Sequence, residues 1–139
     1  MSDSMPPLLL DTHIWLWWLL GQSDLSDTER DALDALAAAG TPPGITPISL
    51  WEAQMLFAKG RLRIDLPLAQ WLPMAAAPET VGIVPLDVSV ILALDALPKA
   101  FHGDPADRII VATARAHGLP LATRDGNIRR SRAVKLWRP

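Results

Sequence analysis

The chain contains no cysteine in its 139 residues. That absence excludes disulfides, thiolate metal sites and thiol nucleophiles, and it suits a reducing cytoplasm. There is little excess of one charge either. A net charge of −2 is too small to point to a partner, so any electrostatic signal must lie in local distribution. Long hydrophobic runs are missing as well. The stretch Leu8 to Leu20 is interrupted by Asp11 and His13 and is too short to cross a bilayer, so no membrane association is expected. Met1 to Pro7 lacks the basic segment that opens a secretory signal. No Gly-x-Gly-x-x-Gly follows the first apolar run, which argues against a dinucleotide-binding oxidoreductase. No Gly-x-Ser-x-Gly is present, which argues against a serine hydrolase. His13, His102 and His117 lack ligand spacing and are expected to be structural or solvent-facing.

What is present is a chain half hydrophobic and one-fifth charged, which excludes disorder and favours one domain over residues 1–139 with a single sizeable core. Its organising stretch runs from His102 to Asp125. Asp104 is a good N-cap, and Pro105 sits where the first helical residue tolerates a missing N–H. Gly118 and Pro120 end that helix, and the short apolar Leu119 to Thr123 predicts a buried strand. Asp107 then lies in the helix's first turn and Asp125 just past the strand.

The rest of the chain alternates in the same way. Leu8 to Leu10 predicts a strand that delivers Asp11 at its end. Asp11 either faces a site or merely caps the helix His13 to Leu20. That helix is apolar all round and carries Trp15, Trp17 and Trp18. It needs either its own domain or a second chain to cover every side. Ser26-Asp27-Thr28-Glu29 opens a second helix with a capping-box pattern. Ile45 to Ile48 predicts an edge-like strand because of Pro47. Ser49-Leu50-Trp51-Glu52 fits a capping box for a helix reaching Gly60, so capping alone would explain Glu52. A helix is predicted for Leu68 to Ala77 despite Pro73, a strand for Val81 to Leu86, and a helix capped by Asp87 that reaches Leu97. A helical turn over Gly126 to Arg130 and a strand over Ala133 to Trp137 complete the pattern.

Strands alternating with helices predict an α/β fold with a mainly parallel sheet covered on both faces. In such sheets ligands sit outside the carboxyl ends of the strands, where Asp11, Glu52, Asp107 and Asp125 are all expected. Two carboxylates about 5 Å apart repel by about 3 kcal/mol at an effective dielectric of about 20. Several such pairs would offset much of a domain's stability of about 5–15 kcal/mol. Partial protonation or a divalent cation relieves the repulsion, and an all-oxygen donor set favours Mg²⁺ or Mn²⁺ over Zn²⁺. Metal held by carboxylates alone suits phosphoryl chemistry.

Leu9-Leu10-Asp11-Thr12-His13, Ser49-Leu50-Trp51-Glu52, His102-Gly103-Asp104-Pro105-Ala106-Asp107-Arg108 and Leu121-Ala122-Thr123-Arg124-Asp125 resemble, in order and over almost the whole chain, the motifs of PIN-domain ribonucleases. They are most similar to the VapC toxins of bacterial type II toxin–antitoxin systems. The resemblance implies a three-layer α/β/α sandwich in a single domain, and a Mg²⁺- or Mn²⁺-dependent endoribonuclease of the bacterial cytoplasm acting on structured RNA of the tRNA or rRNA class. It also implies a VapB-like antitoxin and a toxin homodimer. Carried over by motif, Asp11, Glu52, Asp107 and Asp125 would form the acidic metal site, with the Thr123 hydroxyl in support. Asp104 reads as a helix cap. Ala106 departs from the bulky apolar residue of many relatives, which touches packing and leaves the acids intact. Metal-assisted in-line attack of water would leave 5′-phosphate and 3′-hydroxyl ends.

The C-terminal run Arg124, Arg129, Arg130, Arg132, Lys135 and Arg138 stands against a single acid, Asp125. It is expected either to hold an RNA backbone or to be solvated. No aromatic-rich platform for base stacking accompanies it. An aspartyl-phosphate phosphatase would want a second Asp two residues after Asp11, where His13 stands. A PIN-like module that binds or processes RNA without a toxin role is the main alternative.

Overall fold

A computed structural model of the protein describes residues 5–99, 101 and 103–139. The expectations for Met1 to Ser4 and for His102 lie outside the described residues. Three consecutive leucines set the frame. β1 (Leu9–Leu10) continues from Leu8, and side chains on a strand point alternately to its two faces. Leu8 and Leu10 enter one apolar core and Leu9 the other, and all three are essentially inaccessible. β4 (Leu121–Ala122) repeats the device, with Ala122 in the first core and Leu121 in the second. A strand buried on both faces needs helices on both, and the result is the expected three-layer α/β/α sandwich.

The sheet has the order β3-β2-β1-β4, with β2 at Gly44–Ile45 and β3 at Gly82–Ile83, and every pairing is parallel. Leu9 pairs with Leu121 and Leu10 with Ala122, so the ends of β1 and β4 lie level. The expected last strand reduces to a single parallel bridge between Leu121 and Leu136 on the outer edge of β4. Gly44 is required by packing. A Cβ there would stand 2.6 Å from Cγ of Pro6, which lies across the strand.

The first core is closed by α1 (Thr12–Leu19), α2 (Asp27–Ala38), α3 (Pro47–Ala58) and α4 (Leu68–Ala75), and the second mainly by α5 (Val88–Asp95) and α6 (Pro105–His117). The chain's own domain covers most of α1. Trp15 is fully buried, packs against Trp71 at 6.2 Å between ring centroids, and donates its indole N–H to the Ala75 carbonyl. Trp18 is buried and donates to Asp34 Oδ1 at 2.8 Å. Trp17 alone of the three stays partly open. The second chain invoked as a cover is therefore not required by Trp15 or Trp18.

Two local expectations are corrected. Pro47 does not mark an edge strand, because β2 lies inside the sheet between β3 and β1. It occupies the first position of α3, where a missing N–H costs nothing. The helix thus begins two residues before Ser49, its N-cap is Thr46, and the Ser49–Glu52 capping box does not form. Glu52 falls in the second turn. The other caps stand as expected. Ser26 and Glu29 make a reciprocal capping box on α2, Asp87 caps α5, Asp104 caps α6, and Gly118 closes α6 in the left-handed conformation at φ 64°.

Candidate active site

The carboxyl ends of β1 and β4 are neighbours, but the chain leaves them in different directions, β1 toward β2 and β4 toward the outer edge. A crevice opens where parallel strands part in this way. Asp11 stands at the end of β1. Its Oδ1 accepts from the Thr12 N–H at 2.8 Å, which caps α1, and its Oδ2 accepts from the Thr123 hydroxyl at 2.7 Å. Both readings of Asp11 hold at once, since one oxygen caps and the carboxyl also lines the crevice. The Thr123 hydroxyl also accepts from the Asp125 N–H at 3.0 Å, so one side chain ties the first acid to the turn carrying the last. Asp125 caps the short α7 (Gly126–Ser131) through Ile128 N–H.

Glu52 and Asp107 arrive from the two helical layers. The Thr12 hydroxyl donates to Glu52 Oε1. Having spent its one proton there, Thr12 must accept from Ser49, whose oxygen lies 2.7 Å away. Ser49, read as a cap, is instead buried in a relay that fixes Glu52. Thr12 and Ser49 are supporting residues that sequence reasoning missed. Their one legible signal was the placement of Ser49 a single helical turn before Glu52. Asp107 lies in the first turn of α6, and its N–H donates to Asp104 Oδ1 at 2.8 Å.

Asp11, Glu52, Asp107 and Asp125 line one open cavity of about 370 Å³ together with Asp104. Burial raises the pKa of Asp11, and Asp125 adds to this, while the Thr123 and Thr12 bonds and His13 oppose it. Burial likewise raises Glu52, with Asp11 and Asp104 adding and Thr12 opposing. Asp107 is pushed up to about 7, first by burial and then by Asp11, Asp104, Asp125 and Glu52. Each carboxylate makes the next harder to ionise, and a bound cation would reverse that effect.

The donor set is oxygen throughout and suits a hard divalent ion. Among the described residues, no three His, Asp or Glu side chains stand close enough to grip one ion together. His13 and Trp17, at 6.0 Å between ring centroids, form one wall, so His13 is exposed as expected but borders the cleft. Of the C-terminal basic residues, Arg124 lines the cleft and is the only Lys or Arg among the described lining residues. Arg129 instead donates to the Thr123 carbonyl, and Arg130 to Asn127.

The PIN domain family profile matches residues 8–133. The chain is 38% identical over 140 aligned residues to "Ribonuclease VapC22" of Mycobacterium tuberculosis, covering 96% of this chain and 100% of that protein. Among solved structures it is similar to VapBC2 from Rickettsia felis bound to a DNA fragment from their promoter. The TM-score is 0.70 at 18% identity, over 94% of this chain and 96% of that one, a likeness that speaks to the fold alone. With the profile spanning nearly all of the chain, and motif order, sheet topology and a full-length relative in agreement, this protein belongs to the PIN-domain family.

Proposed function

We propose that this protein is a VapC-type endoribonuclease toxin, a single domain over residues 1–139 that hydrolyses RNA phosphodiester bonds and is silenced by a VapB-like antitoxin. The observation that carries the reading is the convergence of Asp11, Glu52, Asp107 and Asp125 on one cleft at the parting of β1 and β4. Mg²⁺ or Mn²⁺ would bind among these four acids, through one or two carboxylates directly and through water to the rest. When bound, the ion supplies activation of water and neutralisation of charge on the attacking and leaving oxygens. The chain's own contribution is positioning. Thr123 sets Asp11 and the Asp125 turn, the Ser49–Thr12 relay sets Glu52, and the start of α6 sets Asp107. Water attacks the phosphorus in line with the P–O3′ bond, which breaks with the 3′ oxygen leaving as a hydroxyl, so the products carry 5′-phosphate and 3′-hydroxyl ends.

The substrate class is structured RNA, tRNA or rRNA, and the setting is the bacterial cytoplasm. No helix among the described residues is long and apolar enough to cross a membrane. A homodimer is supported by the exposed Val88, Ile91 and Leu92 on α5, which a second copy would cover. The test is incubation of the purified protein with bulk tRNA and rRNA, with and without Mg²⁺, Mn²⁺ or chelator. Metal-dependent cuts lost in Asp107→Asn are expected. Cleavage that survives both chelation and that substitution would overturn the assignment.

A further inference from the structure

Arg124 is anomalous in a cleft built of carboxylates. It immediately precedes Asp125, and a guanidinium there is drawn toward the acids beside it. It is instead turned outward. Its Nη1 donates to Glu29 Oε2 at 2.8 Å and its Nη2 to Glu29 Oε1, an end-on pairing with a residue 95 positions away. Glu29 is itself immobilised, because the same Oε1 accepts from the Ser26 N–H at 3.1 Å and the Ser26 hydroxyl at 2.8 Å in the capping box of α2. The Arg124 side chain is 39% exposed and that of Glu29 only 12%, so the acid is shielded while the cation faces solvent. The end-on fork uses two of the five guanidinium donors, and among the described residues no other acceptor engages the rest.

We propose that Arg124 receives an RNA phosphate next to the scissile one, and that Glu29 is its positioning residue, holding the guanidinium on the rim and off the carboxylates. This rests on the ribonuclease reading above. A polyanion approaching five carboxylates is repelled, and a cation at the rim, planar and forked to match phosphate oxygens, offsets that repulsion where the strand must enter. A cation free to fold inward would instead neutralise the acids that the reaction needs. The alternative is that the pair is only a clip tying the β4–α7 turn to α2.

The experiment measures kcat and KM on bulk tRNA, and the salt dependence of labelled tRNA binding in an Asp107→Asn background that does not cut. Arg124→Ala is expected to raise KM about tenfold with kcat within about threefold, since one charge-assisted phosphate contact is lost. It should also reduce the slope of log K against log salt by about 0.7–0.9, the contribution of one phosphate. Arg124→Lys should restore the slope but only part of the affinity, and Glu29→Gln, which frees the guanidinium to fold onto the carboxylates, should lower kcat more than Arg124→Ala does while reducing the slope by less. Should Arg124→Ala fail to fold, Arg124→Gln, which still reaches Glu29 but without charge, carries the same expectation. Equal effects of Arg124→Ala and Glu29→Gln on slope and KM, or no effect of either, would reduce the pair to a clip and overturn the proposal. If the wild type cuts no RNA, the ribonuclease reading fails by itself, and the binding measurement still decides on Arg124.

Discussion

Asp104 and Asp107 lie three residues apart in one helical turn and do different work. Asp104 caps α6, so Asp104→Ala is expected to cost about 0.5–2 kcal/mol of stability in a thermal melt and to leave cleavage largely intact. Asp107 is held at about 7 by burial and by its acidic neighbours. Its folded pKa lies above its unfolded one, so the folded state binds more protons and metal-free stability falls as pH rises from about 4 to about 7. Asp107→Asn should flatten that fall and match or exceed the wild type in metal-free stability at neutral pH, while abolishing cleavage. A variant that melts earlier than the wild type at pH 7 without metal would mean that Asp107 is chiefly a structural residue. Glu29 titrates with the opposite sign. Pairing with Arg124 holds it at about 2, so its contribution is intact above its ordinary 4.5 and is lost as the pH falls toward 2.

At the scale of the element, α1 is a core helix with one open edge. Trp15 anchors it to the end of α4 by an indole hydrogen bond inside the apolar core. Trp15→Phe should cost about 1–3 kcal/mol, because the Ala75 carbonyl is left buried without that partner. Trp17 lines a groove with Leu16, Leu20 and Leu56 as well as the acidic cleft. Trp17→Ala should weaken antitoxin binding by about 2 kcal/mol, the loss typical of an aromatic anchor, with a smaller change in melting temperature than Trp15→Phe. Calorimetric titration of the antitoxin into each variant separates the two. Unchanged affinity for Trp17→Ala would place the antitoxin elsewhere.

For the whole molecule, the proposed function makes stability and activity depend on the same ion at the acidic cleft. Mg²⁺ or Mn²⁺ at about 100 times its dissociation constant should stabilise the folded protein by about 2.7 kcal/mol, and Asp107→Asn by less, since only binding to the folded state stabilises it. Melts with and without metal read this directly. In cells, expression of the protein alone should arrest growth, a co-expressed antitoxin should restore it, and Asp11→Asn should not arrest growth at all. Arrest by Asp11→Asn equal to that by the wild type would remove nuclease activity as its cause.

The sequence by itself determined the layering and the caps of α2, α5 and α6, and it singled out four acids that the fold brings to one cleft. Alternation in Leu8-Leu9-Leu10, the capping box at Ser26, Asp104-Pro105 before α6 and Gly118 after it are local signals, and local backbone chemistry suffices to express them. It misplaced the start of α3 because Pro47 suits an edge strand and a first helical turn equally well, and only the pairing of β2 on both sides decides between them. It left α1 open to a second chain because all-round hydrophobicity does not name its cover, which Ala75, Asp34 and Trp71 supply from distant segments. Tertiary structure alone decided how the site is held together. Thr123 reaches Asp11, Ser49 reaches Thr12 and Arg124 reaches Glu29 across 112, 37 and 95 residues, and no local periodicity encodes a hydrogen bond of that span.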